Sequence, residues 1–264
     1  MDTLFPPLTA TTFDAVTSAA SAAVYLLVAV SALVRAPRDA RTGVFLLVAV
    51  TGLAPYLLPV YAWFHPGRAF TKPLLSVLAV SLVLGSLALF HFTQIFPWRR
   101  PWIRRYFELL LTGYSLGPLI VLGLIWFAPK KAEEIEASYA VLTVFIGLPT
   151  IFIVGVVLPF AGLLSLYYSL LAARAAGLEQ ARRPLVGILV SQLAGGVLAI
   201  LIIPLLHFVA PSGPWVTIAA ALLFGFGLLM PVAFAAGVWK LRVLDLDIDD
   251  LPAIDGVRGL RPLA

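Results

Sequence analysis

Cysteine is absent from all 264 residues, which removes disulfides, thiolate metal sites and thiol nucleophiles together. Charge is scarce as well: 12% of residues are Asp, Glu, Lys or Arg, against 61% hydrophobic residues and a mean hydropathy of +1.02. That balance excludes an ordinary soluble core, where about a quarter of residues are charged. No lysine falls inside an apolar run, so a retinal Schiff base has no anchor. There is no Walker loop and no H-E-x-x-H pair. Nor do two carboxylates share a depth within the apolar segments, as proton-coupled transport or intramembrane aspartyl proteolysis would need. The stretch from Met1 to Asp14 carries no basic residue, so a cleaved signal peptide is not expected and the first apolar run stays as a span. With so little chemistry left, the chain is not expected to be an enzyme.

What fills the chain is a series of seven long apolar segments, at about 13–34, 43–64, 73–96, 103–128, 138–172, 185–209 and 214–238. A helical span needs roughly 20 apolar residues to cross about 30 Å of hydrocarbon, so these segments and short connections use nearly the whole length. The expected fold is all-α: an integral membrane seven-helix bundle over residues 1–240, with a short cytoplasmic tail over 241–264. The fifth segment is too long for one crossing. Its end, Tyr167 to Arg174, is expected to continue as helix out of the bilayer, with Pro184 starting the next span at a first-turn position. No sustained internal repeat supports an inverted-repeat transporter.

Orientation follows from the cations. Arg35, Arg38, Arg41, Arg99, Arg100, Arg104, Arg105, Arg174, Arg182, Arg183, Lys240, Arg242, Arg258 and Arg261 share one side, 14 of the 18, and only Arg68, Lys72, Lys130 and Lys131 lie on the other. Basic loops stay in the cytoplasm, which places the N-terminus outside and the C-terminus inside. All six tryptophans fall at span ends, where an indole prefers the headgroup boundary. The net charge of +5 then belongs to loops meeting anionic lipid, and no nucleic-acid partner is expected.

Polar groups at membrane depth are costly to bury and normally face the bundle interior. His91, Thr93, Gln94, Glu108, Ser191 and Gln192 all fall within roughly 5–10 Å of one depth in the inner half, at 1.5 Å of rise per residue. A His91–Glu108 pair would make this layer a switch. The favoured reading has Glu108 satisfied by Arg104 and Arg105, four and three residues earlier. His91 has no second histidine at its depth to hold a haem or metal, because His65 and His207 lie near the outer ends. In the outer half, Pro55, Pro59, Pro118 and Pro149 kink helices around a candidate pocket of Asp14, Tyr56, Tyr61, Tyr114, Thr150 and His207, against which stands ordinary packing. No cofactor is expected, though bound lipid or pigment would fit such a pocket. Gly187, Gly195, Gly196, Gly225, Gly227 and Gly237 suit close contact between the sixth and seventh spans.

The last span and its exit run Met230-Pro231-Val232-Ala233-Phe234 through Trp239-Lys240-Leu241-Arg242-Val243-Leu244-Asp245-Leu246-Asp247-Ile248-Asp249. This resembles the end of the seven-helix sensor regions that precede bacterial histidine kinases and related output domains. Phe96-Pro97-Trp98-Arg99-Arg100 is similar to the Phe-Pro and basic loop of that family, and Ala181-Arg182-Arg183-Pro184 stands where its sixth span begins. The likeness covers the topology of the whole chain and about 30 residues of motif.

The resemblance implies a sensor in the bacterial cytoplasmic (inner) membrane that passes a membrane or ligand signal to separate partners. Beyond Asp250 no kinase, cyclase or phosphatase follows, so another chain is expected to receive the signal, docked on a tail carrying Lys240, Arg242, Asp245, Asp247 and Asp249. Two alternatives stand beside this. One is a structural or accessory subunit of a larger respiratory, photosynthetic or transport complex. The other is a facilitator for a small solute.

Overall fold

Short polar side chains start the first three helices. Thr11 accepts a hydrogen bond from the Asp14 amide at 3.1 Å while Asp14 accepts one from the Thr11 amide at 2.9 Å, a reciprocal capping box that opens α1, Thr12–Arg35. Asp39 caps α2, Ala40–Phe64, and Thr71 caps α3, Lys72–Ile95. Then follow α4, Phe107–Trp126; α5, Thr143–Ala175; α6, Glu179–Val197; and α7, Pro214–Trp239, with a single 3₁₀ turn, Val243–Asp245, after it. The computed structural model describes residues 10–67, 71–98, 107–128, 143–198, 202, 205 and 214–245, and among these there is no strand.

Six of the described helices are long and apolar enough to cross a membrane: α1 to α5, and α7 over Ala221–Trp239. The described part of α6 falls short of that measure because it opens on Glu179, Arg182 and Arg183. Here the expectation at Pro184 is corrected. Helix α6 starts five residues earlier, held by Glu179 paired to Arg182 at 2.5 Å and to Arg183 at 3.6 Å, and Pro184 sits inside it. The turn between α5 and α6 is as tight as Gly177 allows: its φ of +68° lets the Leu178 amide reach back to the Ala173 carbonyl at 2.9 Å. The excess length of α5 is taken up partly by two wide π-type turns, Thr143–Gly147 and Ile153–Val157, lying just before Pro149 and Pro159.

Contacts run α1 to α2 to α3 to α5 to α6 to α7 and back to α1, a closed ring of six, while α4 packs outside on α3 and the start of α5. Accordingly α4 has no buried residue. The ring is filled unevenly. Toward the end that carries Arg41 it encloses an aromatic cluster, with Phe45 stacked on Phe234 at 4.1 Å and Phe92 on Phe96 at 5.1 Å, packed among Leu166, Leu185 and Val238. Lipid is as apolar as these side chains, so the cluster holds the helices by close packing and ring geometry, each aromatic pair worth about 0.5–1.5 kcal/mol. Trp98 belongs to this core at 7% exposure, which corrects its expected place at a headgroup boundary; Trp63, Trp126 and Trp239 do sit exposed at helix ends. Trp102 and Trp215 fall outside the residues whose side chains are described.

Candidate functional site

Arg41 is the second residue of α2, and its side chain turns inward beneath the aromatic cluster, leaving the residue only 6% exposed. Its Nε donates to the Asp39 carboxylate at 3.0 and 3.1 Å, and Nη2 donates to the same carboxylate at 2.7 Å. Nη1 donates to the backbone carbonyls of Pro97 and, at 3.1 Å, Val243, and Nη2 also donates to the carbonyl of Leu244. A guanidinium has five N–H donors, and every one is used. This matters because an unpaired charge here would be costly to bury, whereas a planar fork with a carboxylate on one edge and carbonyls on the other is fully satisfied.

Three chain segments thus meet on one side chain: the start of α2, the turn leaving α3, and the segment leaving α7. The last of these folds back because Arg242 adopts a φ of +50°, turning Val243 into the core with no exposed surface. Gly237 makes room, since a Cβ there would stand 3.5 Å from Val243 and 3.3 Å from Pro184. The tail beginning at residue 241 is therefore not extended from its first residue: Leu241, Val243 and Leu244 pack on the bundle. Lys240 and Arg242 are exposed. The Asp245 side chain, Asp247 and Asp249 lie outside what is described.

The expected polar layer divides into three. Thr93 and Gln94 are buried, and Ser165 of α5 donates to the Thr93 carbonyl at 3.1 Å and to Gln94 Oε1 at 3.0 Å, tying α3 to α5. Gln192 of α6 donates to Met230 Sδ of α7 at 3.1 Å, one residue from buried Ser191. His91 and Glu108 stand apart: among the described residues no hydrogen bond or ion pair joins them, and Glu108 is exposed. Arg104 and Arg105 lie outside the described residues.

The expected outer pocket is only partly assembled. Asp14 and Tyr56 line one cavity of about 390 Å³ between α1, α2 and α7, together with Ser18, Ser21 and Gly227. Tyr61 instead stacks on His65 at 4.5 Å, and Thr150 bonds back to the Ile146 carbonyl of its own helix. Tyr114 faces His91, ring centres 6.4 Å apart, so it belongs to the level of the polar layer and not to the other half; its buried hydroxyl has no partner among the described residues. His207 lies outside the described residues. Among those residues no three His, Asp or Glu side chains converge as a metal site would require.

A second cavity, of about 260 Å³, lies inside the ring, where Tyr25, Thr51, Tyr56, Ser86, Gln192 and Met230 face one another. Tyr25 donates to the Gly227 carbonyl of α7 at 3.0 Å and stacks on Phe45, 6.2 Å away. Cavity, aromatic cluster and Arg41 therefore follow one another along the bundle in continuous contact, with Phe45 four residues after Arg41 on α2. Arg41, Tyr25, Ser165 and Met230 are the participants the sequence reading missed. Only Tyr25 had a local signal: Pro231 cannot donate to the carbonyl of Gly227, so that carbonyl needed a partner. No family model, curated protein or solved structure matches the chain.

Proposed function

We propose that the protein is a non-catalytic seven-helix sensor of the bacterial cytoplasmic membrane that passes a signal from the bundle interior to separate cytoplasmic or membrane partners. The observation that carries this reading is the Arg41 junction. The segments it gathers, Phe96-Pro97-Trp98 and Val243-Leu244, are the same ones through which the chain resembles sensor regions, and they leave the helices at the end richest in Arg. A rotation or shift of α7 against α2 and α3 changes the carbonyls offered to one guanidinium, so a small movement has a discrete alternative arrangement at this point. The basic face and the segment beyond Asp245 are then where a partner docks.

The test is purification from native membranes in mild detergent, wild type beside Arg41→Ala, followed by mass spectrometry of what accompanies the protein. The sensor reading expects a chain bearing a cytoplasmic signalling domain, in fixed ratio, lost or weakened in the variant. Recovery as a stoichiometric component of a respiratory, photosynthetic or transport complex, indifferent to Arg41→Ala, would replace it with the accessory-subunit reading.

A further inference from the structure

The cavity inside the ring is walled by five of its six helices: Tyr25 from α1, Thr51 and Tyr56 from α2, Ser81 and Ser86 from α3, Gln192 from α6 and Met230 from α7. No described wall residue is charged. The rest of the lining is apolar, with Val48, Leu82 and Leu89 among it. A membrane bundle gains its stability from close packing, and this space of about 260 Å³ sits directly above the tightly packed aromatic floor.

The polar groups in this space are poorly matched to one another. Gln192 spends its amide on the Met230 thioether at 3.1 Å, and sulfur is a weak acceptor. Across the cavity the hydroxyls of Ser81 and Ser86 make no hydrogen bond to another described residue. The Tyr56 hydroxyl is already used: it is hydrogen-bonded to that of Tyr25, beside Gly227. Donors therefore face the space from two walls, Gln192 on α6 and the serines on α3. A carboxamide and hydroxyls held in an apolar, uncharged pocket, open past the exposed Leu82, select a guest that accepts hydrogen bonds at both ends and carries no charge. The aromatic faces of Tyr25 and Tyr56, 5.7 Å apart and tilted by 32°, favour a flat ring between the walls.

We infer that this cavity is a binding site for a neutral, lipid-soluble ring compound with carbonyl oxygens at opposite ends, of quinone type, with Gln192 donating to one carbonyl and the Ser86 hydroxyl to the other. Such a guest touches Tyr25 and Met230 directly, and through them the α1–α7 contact at Gly227. The site deepens the sensor reading and rests on it only for what binding would cause, not for binding itself.

The probe is 2-methyl-1,4-naphthoquinone, measured by equilibrium dialysis against the purified full chain in lipid nanodiscs, with empty discs correcting for partition into lipid. The chain has no cysteine for the quinone to arylate, so uptake reports reversible binding. Saturable uptake near one equivalent per chain is expected, weakened at least ten-fold in Gln192→Leu and in Gly85→Leu, which fills the cavity from α3. The same ring bearing a sulfonate should bind at least ten-fold more weakly. Uptake no greater than that of empty discs overturns the proposal, as does saturable uptake unchanged in both variants; equal binding of the sulfonate overturns the neutral guest. Hydrogen exchange in residues 241–245 is followed in the same samples. Binding without a change there keeps the site and counts against the sensor reading, whereas no binding removes the site and leaves that reading untouched.

Discussion

Tyr25 of α1 donates its hydroxyl to the carbonyl of Gly227 at 3.0 Å, and that carbonyl is the one Pro231 leaves without a helical partner. A proline in α7 and a tyrosine some 200 residues earlier thus complete one hydrogen bond, which pins the middle of α7 to α1. Interhelical hydrogen bonds in membranes are worth about 0.6 kcal/mol on average and up to about 1.7. Tyr25→Phe should cost within that range, because Pro231 cannot supply the helical donor that the freed carbonyl lacks. In a Pro231→Ala background, residue 231 supplies the missing N–H, and the cost of Tyr25→Phe should fall below about 0.5 kcal/mol. Unfolding titrations of the four proteins in lipid-detergent mixtures measure the coupling; strictly additive costs would refute this account.

Arg41→Lys keeps the charge and loses the fork. A lysine ammonium has three donors on a flexible stem and cannot span the Asp39 carboxylate, Pro97 and the Val243–Leu244 carbonyls together. The expected loss is about 1.5–3 kcal/mol, the range for a hydrogen bond to a charged group. The local effect is easier to isolate. Limited trypsin digestion should cut after Arg242 at least ten times faster in Arg41→Lys than in the wild type, with cleavage after Arg258 as the reference. An unchanged ratio would mean that Arg41 does not hold the exit of α7.

His91 and Glu108 were the sharpest switch candidates in the sequence, and they do not meet. Glu108 is exposed, so Glu108→Gln should change stability by no more than about 0.5 kcal/mol. His91 packs against Tyr114, and His91→Ala should cost about 1 kcal/mol through lost contact while leaving partner recovery and any signalling output intact. Loss of output in both single variants, with folding preserved, would restore the switch.

The helices were legible because a long apolar run has few other physical solutions in a bilayer: α1 and α3 lie within one residue of their expected bounds, and α2 starts three residues early at its Asp39 cap. Pro184 misled because a proline six positions into a helix resembles one at its start; the Glu179 ion pairs that decide the matter are ordinary surface charges in sequence. Arg41 was hidden differently. It counts among the cations of the basic side, and nothing local separates a guanidinium that neutralises lipid from one that gathers three backbone segments. Thr93 and Gln94 were found from polarity at depth, but their partner Ser165 was one serine among many, since hydropathy gives depth and not facing direction. Tyr114 was placed in the wrong half for the same reason: proximity to Pro118 stood in for the depth that His91 sets.

Orientation can be read by introducing single cysteines into a chain that has none of its own. Arg38→Cys lies in the turn between α1 and α2 on the basic side, and His65→Cys caps the other end of α2. With the basic side in the cytoplasm, a membrane-impermeant maleimide added to intact cells should label His65→Cys and spare Arg38→Cys until the membrane is opened. Labelling in the reverse order would invert the topology and place the Arg41 junction on the outer face.

Gly187 of α6 meets Ala233 of α7 so closely that a Cβ on residue 187 would stand 2.6 Å from the Cβ of Ala233. No rotamer relieves such a clash, because neither group has a torsion to turn, so Gly187→Ala must push the two helices apart. Overpacking of this kind costs about 1–3 kcal/mol. The displacement also acts at a distance, because Phe234 follows Ala233 and stacks on Phe45 at 4.1 Å. Ala233→Gly alone removes one methyl and loosens the helix, costing about 0.5–1 kcal/mol. Exchanging the two residues, Gly187→Ala with Ala233→Gly, returns a single methyl to the same gap from the opposite side. The double variant should therefore recover most of the stability lost in Gly187→Ala, which simple addition of two destabilising changes would forbid. Unfolding midpoints of the wild type, both single variants and the double variant decide it: rescue locates the α6–α7 contact at this pair, and additive losses would show that the helices do not touch there.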